Sequence, residues 1–239
     1  MKAILFADLV TLKKSPKQYL LSIGIMCAIF TATALFDDEM DAEQIVGFFQ
    51  GSITGMSTAM SSFFAFFQLF GMDEQAGWQS VRLSLPIARR DIVVSRYMIL
   101  AAMLVVMLAG SLLLATALTT VITQVAFGSV TTMPASDILA LAIVYFAAFL
   151  TYLTIELPLF FRMGLSKARG YFTLPFMACM LFMLKPVQEF AGKVGTQLMG
   201  VVGAIGSPWP LILGAAAAAL VLYALSGLIS LRLYSTREF

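Results

Sequence analysis

Six long apolar stretches limit what this chain can become: residues 18–36, 48–70, 97–127, 135–161, 172–190 and 208–231. A helix needs about 20 apolar residues to cross a bilayer, whereas a membrane barrel is built from strands of about 10 alternating residues, a pattern absent here. The sequence therefore predicts an all-α polytopic membrane protein with six transmembrane helices in a single transmembrane domain, residues 1–239. The third and fourth stretches are longer than a crossing requires and should tilt or project from the bilayer. Composition agrees: 60% of residues are hydrophobic and 12% charged, far from the balance of a soluble domain.

Basic residues are sorted by side. With the amino terminus in the cytoplasm, Lys2, Lys13, Lys14, Lys17, Arg82, Arg89, Arg90, Arg96, Arg162, Lys167, Arg169, Arg232 and Arg237 fall inside, and Lys185 and Lys193 fall outside. This bias predicts both termini in the cytoplasm. A formal net charge of +2 with the cations so dispersed offers no surface for nucleic acid. Residues 1–16 read as a helix lying on the inner membrane face and closed by Pro16, with Lys13, Lys14 and Lys17 meeting anionic lipid headgroups. They carry an acid and lack a small-residue cleavage site, so a removed signal is not expected. Cys27 and Cys179 both fall inside apolar stretches, where a disulfide is not expected. The first outer loop, residues 37–43, has five acids but not the spacing of a calcium loop, and reads as solvated. Residues 191–207 hold Gly192, Gly195, Gly200, Gly203 and Gly206 among apolar neighbours. They fit either a re-entrant segment capping an outer gate or an interfacial loop.

Chemistry is sparse. The chain has no histidine, no metal-ligand cluster, no nucleophile with a base, and no Gly-x-x-x-x-Gly-Lys-Ser/Thr phosphate cradle; "GLSKARG" from Gly164 lacks that spacing. No catalysis, metal or cofactor is assigned to it. Glu156 lies inside the fourth stretch, where an acid is a functional candidate. It precedes Arg162 by about 9 Å of helix, close to the inner interface and on a different face. Pro158 frees a backbone carbonyl nearby. Glu156 reads either as an interfacial structural residue or as one that acts in the inward cavity or in coupling. In the second stretch Gly47, Gly51, Gly55 and Ala59 recur every four residues and make a groove for helix packing. Thr54, Ser57, Ser61 and Gln68 form an adjacent polar stripe. Those hydroxyls either face a translocation path, together with Glu156, or bond back to their own helix. Met56, Met60, Phe63, Phe64, Phe66 and Phe67 would give such a path an adaptable apolar wall.

The charged interruption between the second and third stretches, "GMDEQAGWQSVRLSLPIARRDIVVSRYMI", spans residues 71–99. Pro86 suits the first turn of a helix capped by Ser84 or Leu85, running on into the third stretch. That helix would set Arg89, Arg90 and Arg96 at the membrane face and leave Leu83, Leu85 and Ile87 uncovered. Such a cluster reads either as a protein contact or as a positive-inside anchor.

This stretch resembles the cytoplasmic loop of the ATP-binding-cassette type-2 export permeases through Asp73, Glu74, Trp78, Ser84, Leu85, Pro86, Arg89, Ile92, Val93, Ser95, Arg96 and Tyr97. "LPLFFRMGLSKARGY", residues 157–171, and the opening "MKAILFADLVTLKKS" are similar to other parts of the same group, especially the short permeases that export amphipathic peptides in bacteria. The resemblance implies a coupling loop at residues 72–96 and a second cytoplasmic loop at 162–171. Trp78, Leu85, Pro86 and Ile87 would anchor an ATPase subunit, and Arg82, Arg89 and Arg90 would orient it. ATP and magnesium would belong to that partner. A second permease copy or a sister permease, an amphipathic peptide cargo and a bacterial cytoplasmic membrane are implied likewise. The alternatives are a membrane scaffold or immunity protein that moves nothing, and a proton-coupled carrier relying on Glu156.

Overall fold

A computed structural model describes residues 24, 42–75, 88–164 and 206–235 of the chain. Among these, all regular structure is helical: α1 (Ala42–Gln75), α2 (Arg89–Phe127), α3 (Ala135–Met163) and α4 (Trp209–Ser235). Each contains a segment long and apolar enough to cross a membrane: Val46–Gly71, Arg89–Phe127, Ala135–Met163 and Trp209–Tyr234. They correspond to the second, third, fourth and sixth expected crossings. All of the first but residue 24, the whole of the fifth, the inner-face helix at 1–16, most of the loop at 162–171 and nearly all of 191–207 lie outside the described residues. The chain divides into two compact units, Met1–Leu150 and Thr151–Phe239, with the division falling inside α3.

The first unit is built on α1 and α2 packed against each other. Buried residues of α2 recur every three or four positions through Val93, Tyr97, Leu100, Leu104, Leu108, Ser111, Ala115, Thr119 and Thr123, one stripe of a helix. The stripe narrows from leucine to Ser, Ala and Thr, which lets the partner backbone approach where Phe49 and Ile53 of α1 close on Ala115. Gln50 reaches Thr116, and Arg96 reaches Leu69, so the two helices run antiparallel. At 39 residues, α2 is about 58 Å long, well beyond the about 30 Å of a hydrocarbon core. Gly128, in the left-handed region at φ 68°, ends α2 and donates its N–H to Gln124. A short link then leads to α3, where the Pro134 carbonyl accepts the first amides.

The expected helix from Pro86 running unbroken into the third crossing is corrected at one residue. Ala88 is extended, with ψ 132°, and α2 begins at Arg89.

In the second unit, the carboxyl-terminal half of α3 meets α4. Pro158 sits inside α3 without ending it. Its missing N–H orphans the carbonyl four residues back, at Thr154. The Ser226 hydroxyl of α4 donates to that carbonyl at 2.7 Å. About two helical turns further on, Phe161 stacks edge to face with Tyr234, ring centres 5.4 Å apart. The pairs Thr154–Ser226 and Phe161–Tyr234 advance together, so α3 and α4 are parallel there.

On α4, burial is inverted relative to a protein made for water. On α4 the buried residues are Ala219, Ser226 and Ser230, while Leu213, Leu220, Val221, Leu225, Leu228 and Ile229 are exposed. Large apolar side chains turned outward and small or polar ones turned inward are the arrangement that lipid favours.

Candidate functional site

The site begins with the polar stripe of α1. Thr54, Ser57 and Ser61 are fully buried, and Gln68 is half-buried. Ser57 donates to the Ile53 carbonyl of its own helix, the locally satisfied alternative that such hydroxyls always have. Thr54 and Ser61 do not: with Thr58 and Ser62, their Oγ atoms have no hydrogen-bond partner among the described residues. A buried hydroxyl without a partner costs about 1–3 kcal/mol, so four on one helix mark a face whose polar contacts come from elsewhere.

Gln50, Thr58 and Ser62 extend this face and were not singled out by sequence. The signal was present for Gln50, which lies four residues before Thr54 and seven before Ser57 on the same stripe. Its Nε2 donates to Thr116 Oγ1 at 3.0 Å, and that hydroxyl donates onward to Leu112 at 2.8 Å. On α2, Thr119 and Thr123 bond back to their own helix, at 2.6 Å to Ala115 and 2.9 Å to Thr119.

The small-residue groove is occupied. The Tyr145 hydroxyl of α3 donates to the Gly51 carbonyl at 2.8 Å. A Cβ built on Gly55 would fall 2.8 Å from that hydroxyl and 2.9 Å from two ring carbons. Only glycine lets the ring lie there. Gly47, by contrast, faces open space, and Ala59 is half-buried. The phenylalanine wall divides. Phe66 is buried and tilts against Phe70 at 4.5 Å, so it belongs to the core, while Phe63, Phe64 and Phe67 are half-buried alongside Met56 and Met60.

At the other end of the hairpin lie the arginines. Arg89 and Arg90 are exposed in the first turn of α2, whose cap supplies no side-chain hydrogen bond. Cations at this end of a helix oppose its dipole by about 0.3–1 kcal/mol each, so they are not placed there for helix stability. Arg96 departs from expectation. It is 1% exposed rather than at the membrane face, donates from Nη1 to Leu69 at 3.2 Å, and lies over the Phe70 ring at 5.1 Å. Trp78, Arg82, Leu85, Pro86 and Ile87 lie outside the described residues.

Glu156 belongs to the second unit. It is 7% exposed, and its Oε1 has no hydrogen-bond partner among the described residues. Arg162 is exposed, in keeping with the different faces that six residues of helix separate. Among the described residues no group of acids, cysteines or histidines could hold a metal ion.

A family model described as "ABC-2 family transporter protein" matches residues 3–235. No curated protein and no solved structure matches the chain.

Proposed function

The chain belongs to the ABC-2 family of transporter proteins, and from that premise we propose that it is the permease of an exporter whose cargo is an amphipathic peptide or a molecule of similar hydrophobic character. Membership makes it a membrane-embedded, multi-pass permease component of an ABC transporter and implies an ABC ATPase as its partner. ATP and magnesium then bind that partner, and this chain hydrolyses nothing. In this reading it works in a bacterial cytoplasmic membrane with both termini inside. A second copy, or a sister permease, completes the pathway.

The observation that carries the cargo reading is the face of α1. Half-buried Met56, Met60, Phe63, Phe64 and Phe67 line one side of α1 as an adaptable apolar wall, and the four buried hydroxyls without partners among the described residues lie on the opposite side. A sugar or an inorganic ion gains little from thioethers and rings, whereas a peptide helix can lay its apolar side on such a wall. Exposed Arg89 and Arg90 support the docking half of the reading, since exposed cations steer and orient a partner.

The test is reconstitution of the chain with its ATPase in inverted vesicles, with a fluorescent amphipathic helical peptide as probe. ATP-dependent accumulation inside the vesicles is expected, together with peptide-stimulated hydrolysis. Purification without any ATPase would favour the scaffold, and accumulation driven by a proton gradient alone would favour the carrier.

A further inference from the structure

Arg96 is a charged group taken fully out of water, seven residues into α2 and facing α1. Leaving water costs an ion several kcal/mol, and an apolar residue of similar volume would fill the same space more cheaply. Stability alone therefore does not account for it. What an apolar residue cannot do is select one carbonyl. Apolar side chains tolerate sliding between helices, whereas the Nη1 bond to Leu69 and the stacking on Phe70 fix both the height and the rotation of α2 against α1. Phe70 is itself held against Phe66, and Leu69, Phe70 and Phe66 are all buried. The Gln50–Thr116 bond fixes the same pair of helices again, about 30 Å away along their length.

We propose that Arg96 is a register pin: a positioning residue that locks the amino-terminal end of α2 to α1, so that a displacement received at Arg89 and Arg90 moves both helices as one body. This rests on reading Arg89 and Arg90 as the place where an ATPase docks. Without the pin, α2 would shift alone and the polar face of α1 would not respond to nucleotide.

The test uses the permease–ATPase complex in lipid nanodiscs, in a Cys27→Ser, Cys179→Ser background, spin-labelled through Phe64→Cys and Met98→Cys near the pin. With Arg96 present, the distance between labels is expected to be the same at rest and after trapping with ATP and vanadate. With Arg96→Lys, which keeps the charge but loses the planar stack, and with Arg96→Met, trapping should split or lengthen the distance. In the unlabelled chain with the same Arg96 substitutions, ATP-driven peptide accumulation should fall about tenfold while hydrolysis is largely retained. A merely structural role would broaden the distance equally in both states, which overturns the proposal. So does a trapped distance in Arg96→Lys equal to that with Arg96, or a native pair that itself separates on trapping. If neither Arg96 variant inserts, Phe70→Leu removes the ring face alone, and the same comparison decides. A preparation in which no ATPase binds overturns the docking reading, and the pin's role with it. A bound ATPase with an unmoved distance in all variants overturns the pin alone.

Discussion

A glycine repeat and a tyrosine far away in sequence show what single residues decide in this protein. Gly47, Gly51, Gly55 and Ala59 announce a groove by their spacing, but nothing in that spacing names what fills it. The occupant, Tyr145, lies on another helix and bonds the Gly51 carbonyl. The repeat is therefore not uniform in consequence. Gly55→Ala should destabilise the protein by about 1–3 kcal/mol, because the new carbon meets the ring and hydroxyl of Tyr145. Gly47→Ala, with nothing within 4 Å, should be neutral or stabilising by up to about 1 kcal/mol through helix propensity. Thermal unfolding in detergent measures both, and the Gly55→Ala penalty should shrink when Tyr145→Ala is already present. Equal effects at the two glycines would contradict the packing described. Arg96 makes the same point for charge: as a basic residue near a membrane face it reads as an interfacial anchor, and only the fold shows it turned into a helix pair.

Between elements, the clearest device is the repair of α3 at Pro158. The carbonyl that proline orphans at Thr154 accepts the Ser226 hydroxyl from α4, so the helix continues and the two elements are tied at that level. Ser226→Ala should cost about 0.5–1.5 kcal/mol, since it removes a part-buried hydrogen bond to that carbonyl. In a Pro158→Ala background the backbone N–H returns and the same substitution should cost much less. A double-mutant cycle by denaturation in detergent measures the difference, and additive costs would exclude the repair. The start of α2 carries the second prediction at this scale. Because Arg89 and Arg90 are exposed and sit against the helix dipole, reversing both to Glu should leave membrane insertion intact while lowering ATPase association about tenfold, read by co-purification. Unchanged association would remove them from the dock.

For the whole molecule, helix directions are the constraint. Within the second unit, the parallel meeting of α3 with α4 makes them crossings of the same sense. Cysteines at Ser129 and Ser207, ahead of α3 and α4, should then react with an impermeant maleimide from one side, and cysteines at Arg162 and Arg232, in their last turns, only from the other, in the chain freed of Cys27 and Cys179. Labelling of positions 129 and 207 from opposite sides would sink the parallel arrangement. Much of this was legible beforehand: helical crossings at four of the expected places and the excess length of α2 both follow from composition and spacing, since lipid leaves a backbone no option but to bond within its own helix. The polar stripe on α1 was legible as a stripe, because residues three and four apart share a face whatever surrounds them. Which hydroxyl bonds at home and which is left without a partner among the described residues, which glycine a ring covers, where the freed carbonyl of Thr154 goes, and that Arg96 turns inward were decided only by tertiary structure. Each depends on a contact between helices distant in sequence, and a periodicity can specify that a face is turned to a neighbour without specifying which neighbour or at what height.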